Sequence, residues 1–107
     1  MERKLIWTVF ALKAVQEIYT FYRNIAGVKV ANKVIDKISD APLRLLPNPY
    51  IGKKDEIFVG KREVFILIES NYKIIYHVDL VDESIVILDV FDARQNPVNI
   101  DRSISRD

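Results

Sequence analysis

Cysteine is absent from this chain, which removes disulfides and thiolate metal sites as sources of stability or chemistry. Histidine occurs once, at His77, which leaves no metal cluster of useful spacing, and no plausible His/Asp arrangement is read around Ser84, Ser103 or Ser105. Only three glycines are present, too few for a phosphate-cradling loop, and no cofactor is expected. The start, MERKLIWTVF, is basic but lacks the long apolar core and small-residue cleavage site of a secretory signal. No apolar run approaches the length of a membrane span. These absences describe a soluble cytoplasmic protein without a membrane partner, compatible with a reducing compartment.

What is present fits one globular domain spanning residues 1–107, half hydrophobic and 29% charged. The net charge of +1 conceals a division. Residues 1–62 carry twelve Lys/Arg against six Asp/Glu, a balance of +6; residues 63–107 carry four against nine, a balance of −5. A nucleic-acid binder concentrates positive charge on its contact face.

The organising stretch lies at Tyr72–Pro97. Tyr72–Asp79 and Ser84–Phe91 are short runs of Ile, Val and Tyr joined by the acidic turn Leu80–Glu83, which spells a β-hairpin. In the first run Tyr72, Ile74, Tyr76 and Val78 share one face, and Lys73, Ile75 and His77 the other. In the second, Val86, Leu88 and Val90 alternate with Ile85, Ile87, Asp89 and Phe91. Apolar residues on both faces predict an inner strand covered by helices on at least one side. Asp89 is the odd member, to be either solvated or paired with Lys73 or Arg94 across the sheet. Pro97 ends the ladder.

Upstream, Lys4–Trp7 reads as an edge strand and Thr8 as an N-cap. Ala11, Val15, Ile18, Tyr22 and Ile25 recur at helical steps over Val9–Ala26, with Phe10, Ala14 and Phe21 widening the stripe. Gly27 suits a helix end. A second helix is predicted over Val28–Leu46, with Ala31, Val34, Ile35 and Ile38 inward and Lys29, Lys33 and Lys37 on a solvated face. Pro42 either kinks it or opens a last turn. Tyr50–Glu56 reads as a loop, Ile57–Val59 as a brief pairing segment and Glu63–Glu69 as a strand. The fold class is α+β: an N-terminal strand, an antiparallel helix hairpin, and a three- to four-stranded antiparallel sheet. The predicted core contains Val15, Ile18, Tyr22, Val34, Ile35, Ile38, Ile74, Tyr76, Leu88 and Val90.

Several pieces together carry a resemblance. They are Trp7-Thr8 with Ala11, Leu46-Pro47, Pro49-x-x-Gly52, the run Asn71-Tyr72-Lys73-Ile74-Ile75-Tyr76, and the ending Val90-Phe91-Asp92-x-Arg94-Gln95-Asn96-Pro97. Taken over nearly the whole chain they resemble the RelE/ParE superfamily of bacterial toxins from type II toxin–antitoxin (plasmid stabilisation) modules. The resemblance implies that fold, a cognate antitoxin as partner, and one of two activities. ParE-like members poison DNA gyrase, whereas RelE-like members cut messenger RNA on the ribosome with basic side chains and a C-terminal Tyr or His. Lys73 and Arg94 match basic positions of the family, and His77 is the remaining catalytic candidate. The preceding strand, Val64–Ile68, lacks the usual Lys or Arg, and no Tyr follows Tyr76 and no His follows His77. In-line attack by a ribose hydroxyl needs a base, an acid and charge stabilisation, so the ParE-like branch is favoured. An inactive relative that only binds a partner is the third reading. Phe65, Leu67 and Ile75 are expected on a sheet face the helices leave open, as the docking surface for an antitoxin strand or helix. A homodimer or a toxin–antitoxin hetero-oligomer is the assembly implied.

Overall fold

In the computed structural model, residues 3–55 and 63–92 are described. The order is β1 (Lys4–Trp7), α1 (Val9–Ala26), α2 (Val28–Asp40), a 3-10 segment (Ala41–Leu45), β2 (Lys53–Asp55), β3 (Val64–Glu69), β4 (Tyr72–Asp79) and β5 (Ser84–Asp92). The strands form one sheet in the order β1-β5-β4-β3-β2. The β4–β5 hairpin therefore lies inside the sheet, as the apolar residues on both faces of β5 predict.

Strands β2 to β5 form the antiparallel sheet expected, and the N-terminal strand β1 adds to its β5 edge in parallel, so the five-stranded sheet as a whole is mixed. β1 pairs with β5 in parallel, Lys4 opposite Ser84 and Trp7 opposite Ile87, while the other neighbours are antiparallel. Two parallel strands cannot be joined by a tight turn, so the chain makes a long crossover that begins with the helix hairpin.

Thr8 starts that crossover. Its backbone is extended, and its hydroxyl accepts the Ala11 N–H at 3.1 Å while donating to the Ile87 carbonyl at 2.8 Å. One side chain thus caps α1 and ties it to β5. Gly27, at φ 92°, serves both helices: its N–H donates to Arg23 O and its carbonyl accepts from Ala31 N. α2 then ends at Asp40 rather than at Leu46. Pro42 has no N–H and crowds the carbonyl one turn back, so the chain tightens into the 3-10 segment while Ala41, Pro42 and Leu45 stay buried. Tyr50–Glu56 is not wholly a loop, because Lys53–Asp55 pairs with β3. Ile57–Val59 lies outside the described residues.

The main core lies between the helices and one sheet face. Ala11, Ile18, Ile38, Ala41 and Leu45 pack on Phe65, Leu67, Tyr72, Ile74, Tyr76, Ile85, Ile87 and Val90, with Val15, Tyr22, Val34 and Ile35 partly buried at its edge. Ile25 and Phe21, assigned to the inward stripe, are exposed near the end of α1. A second apolar cluster, Val64, Ile75, Leu88 and Phe91 with Ile66 and Val86, occupies the opposite sheet face. The simple alternation read for β5 fails at one point. Ile75 pairs with Asp89 and Tyr76 with Ile87, leaving Leu88 as an extra residue in a bulge. Leu88 and Val90, expected on one face, consequently lie on opposite faces.

Candidate functional site

Cross-strand partners share a sheet face, so the registers locate the candidate side chains. Lys73, Ile75 and His77 lie on β4, on the face opposite the helices. Lys73 stands between Ile68 and Phe91, and His77 is beside Val86. Both are partly buried. Four residues of strand separate them by roughly 13 Å between Cα atoms, with fully buried Ile75 between them. The two groups share a face but do not meet over one reacting atom. Arg94 lies outside the described residues.

Sequence reading missed a further cation on this face. Lys53 of β2 is paired with Ile66 of β3, which is paired with Ile75, and this places it roughly 12 Å from Lys73 by strand spacing. Its sequence signal is the Lys53-Lys54 pair, which lies in a segment polar enough to read as a loop. Lys54, on the other face, forms an ion pair with Glu63 at 2.9 Å.

The proposed docking residues are corrected by the structure. Phe65 and Leu67 are buried in the helix-side core, and Ile75 is buried in the second cluster. They share neither a face nor an open surface. β3 alternates, so its Phe65 and Leu67 take the helix side while Val64, Ile66 and Ile68 take the other. Ile68 is the member of β3 that is exposed.

Asp89 is fully buried rather than solvated, and its Oδ1 accepts the Val90 N–H at 2.8 Å. Its neighbour along β5, Asp92, is also buried and accepts a 3.1 Å hydrogen bond from the Tyr22 hydroxyl on α1. Tyr76, read as plain core, is a polar anchor. Its hydroxyl donates to Pro49 O and accepts from Gly52 N, and burial pushes the phenol pKa up despite the opposing Gly52 hydrogen bond. Among the described residues no group of His, Asp and Glu is placed to hold a metal ion. No described helix is long and apolar enough to cross a membrane.

A family model described as the ParE toxin of a type II toxin–antitoxin system, parDE, matches residues 5–97. Among solved structures, the chromosomal ParDE toxin–antitoxin system of P. aeruginosa is similar at 24% identity and a TM-score of 0.65, over 84% of this chain and 95% of that one. The toxin–antitoxin complex RelBE2 of Mycobacterium tuberculosis is similar at 16% identity and a TM-score of 0.63, over 86% and 99%. A free E. coli RelE mutant matches at 18% identity and a TM-score of 0.59, over 99% and 97%. Identities this low carry the fold alone. No curated protein sequence matches significantly.

Proposed function

The chain belongs to the ParE toxin family of type II toxin–antitoxin systems, and from that membership we propose that it acts by binding a protein target such as DNA gyrase. A cognate antitoxin is its second partner, by analogy with the toxin–antitoxin pairs named for the P. aeruginosa and M. tuberculosis structures.

The observation that carries the reading is the spacing of Lys73 and His77. A nuclease working by ribose attack must bring a base, an acid and a cation to one phosphate, within hydrogen-bond reach of its oxygens. Two groups separated along a strand by a buried isoleucine do not supply that constellation. A protein-binding toxin needs no such convergence.

A RelE-like ribosome-dependent endoribonuclease is the second reading, and one observation favours it. Lys53 and Lys73 stand on the same sheet face, where two cations could bracket an RNA strand. Induction of the chain in growing cells, followed by supercoiling assays with purified gyrase and by messenger-RNA cleavage assays on translating ribosomes, separates the two. Inhibited supercoiling with intact messages is the outcome expected; cleaved messages with unaffected supercoiling would reverse the order of the readings.

A further inference from the structure

The β4–β5 turn exposes two aliphatic side chains, one of them almost completely. Leu80 is 73% and Val81 98% accessible, although polar residues would form such a turn at least as well. The turn is also held in one shape. Asp79 Oδ1 accepts the N–H groups of both Val81 and Asp82 at 3.0 Å. On neighbouring β1, the Lys4 N–H donates to Glu83 O at 2.9 Å and Lys4 Nζ meets Asp82 Oδ1 at 3.1 Å. An ion pair this exposed contributes little; the backbone hydrogen bond from Lys4 to Glu83 and the Asp79 cap are what hold the turn. Glu83 closes the turn at φ 52°, in the left-handed region that a residue with a Cβ adopts at a cost and glycine would adopt freely.

We infer that Leu80 and Val81 form a rigid docking knob that enters an apolar pocket bordered by Lys or Arg on the toxin's protein target. The inference rests on the ParE-like reading and adds the contact surface to it. Charge selects the partner. The turn carries Asp79, Asp82 and Glu83; Asp82 is paired with Lys4 and Asp79 Oδ1 caps the turn, and the remaining negative balance disfavours phosphates and complements a basic protein rim. Because the turn is already ordered, binding loses little further conformational freedom. Four residues are too few for a complete interface of about 800 Å² per partner; the knob is an anchor within a larger contact.

The test compares the full wild-type chain, the double variant Leu80→Ser/Val81→Ser, and Leu43→Ser, which removes an exposed aliphatic from the 3-10 segment. Growth arrest on induction is one readout and binding to purified DNA gyrase at low and high salt the other. The double variant should keep the wild-type melting temperature, because both side chains are already in water. It should bind gyrase at least about tenfold more weakly and arrest growth less, while Leu43→Ser behaves as wild type. Wild-type binding should weaken as salt rises. Undiminished binding and arrest by the double variant overturn the knob. A wild-type chain that arrests growth without binding gyrase overturns the gyrase reading instead; in that case loss of arrest in the double variant supports the knob and retained arrest rejects it.

Discussion

The hydroxyl of Tyr76 donates a 2.8 Å hydrogen bond to the carbonyl of Pro49, tying the middle of the sheet to the loop that follows the helices. The same oxygen accepts the Gly52 N–H at 3.0 Å, and the ring stacks on Phe65 at 5.5 Å between centroids. Tyr76 is fully buried, so removing its hydroxyl takes the donor from the Pro49 carbonyl and the acceptor from the Gly52 N–H. Tyr76→Phe should destabilise the fold by about 1–3 kcal/mol. Urea unfolding would measure it, and a cost near zero would mean that water replaces the hydroxyl.

The raised Tyr76 pKa gives a second test. Burial, the largest cause, disfavours the phenolate in the folded state, while the unfolded phenol titrates near its ordinary value of 10.0. The folded state thus holds its proton to higher pH. The stability from the neutral phenol is complete below about pH 10 and is lost as pH rises through the folded pKa. Between pH 8 and pH 11.5 the wild-type melting temperature should therefore fall more steeply than that of Tyr76→Phe. Parallel curves would rule out a shifted phenol.

Gly52 is required by the same contact. A Cβ at this position would collide with the Tyr76 hydroxyl, lie 2.8 Å from its ring edge and 3.0 Å from the Ile66 carbonyl. Gly52→Ala must push either the loop or the buried ring aside, at about 1–3 kcal/mol. Combining it with Tyr76→Phe should cost less than the sum of the two, since the residues touch.

Much of this was legible in the sequence, for identifiable reasons. Thr8, Gly27 and the apolar steps between them fixed α1 because local capping and periodicity agree there. The β4–β5 hairpin was legible because two β-rich runs flank an acidic turn and the second is apolar on both faces. The faces themselves were not, since the bulge at Leu88 reverses the alternation and nothing in the run Ile85–Phe91 announces it. The parallel pairing of β1 depends on where a four-residue strand finds its partner, a tertiary decision. The site suffered most: Phe65 and Leu67 look like surface candidates only when their face is unknown, and Lys53 was hidden in a segment too polar to read as a strand.

Thr8 links helix start to sheet bulge, which makes it more sensitive than an ordinary cap. Thr8→Ala removes the acceptor for Ala11 N and the donor to Ile87 O together. Loss of a cap alone costs about 0.5–2 kcal/mol; here the upper end is expected. Thr8→Ser keeps the hydroxyl and should recover most of the loss in thermal unfolding. Equal effects of Ala and Ser would assign the role to the methyl group instead.

Lys73 and Lys53 decide between the two toxin mechanisms. If the shared sheet face cleaves RNA, each cation stabilises a phosphate in the transition state. Removing one such contact then costs about 2.7–4 kcal/mol, or about a hundred- to a thousandfold in rate. If the chain instead binds a protein, these partly or fully solvated cations contribute at most rim electrostatics, and Lys73→Ala or Lys53→Ala should change toxicity by less than about tenfold. Both variants should fold, since Lys53 is exposed and Lys73 partly so. The expected outcome is growth arrest close to wild type from each, with ribosome-bound messages intact on primer extension. Arrest abolished by either change, together with message cleavage by the wild type alone, would make the lysine pair the catalytic electrostatics of a nuclease and the spacing of Lys73 and His77 irrelevant to it.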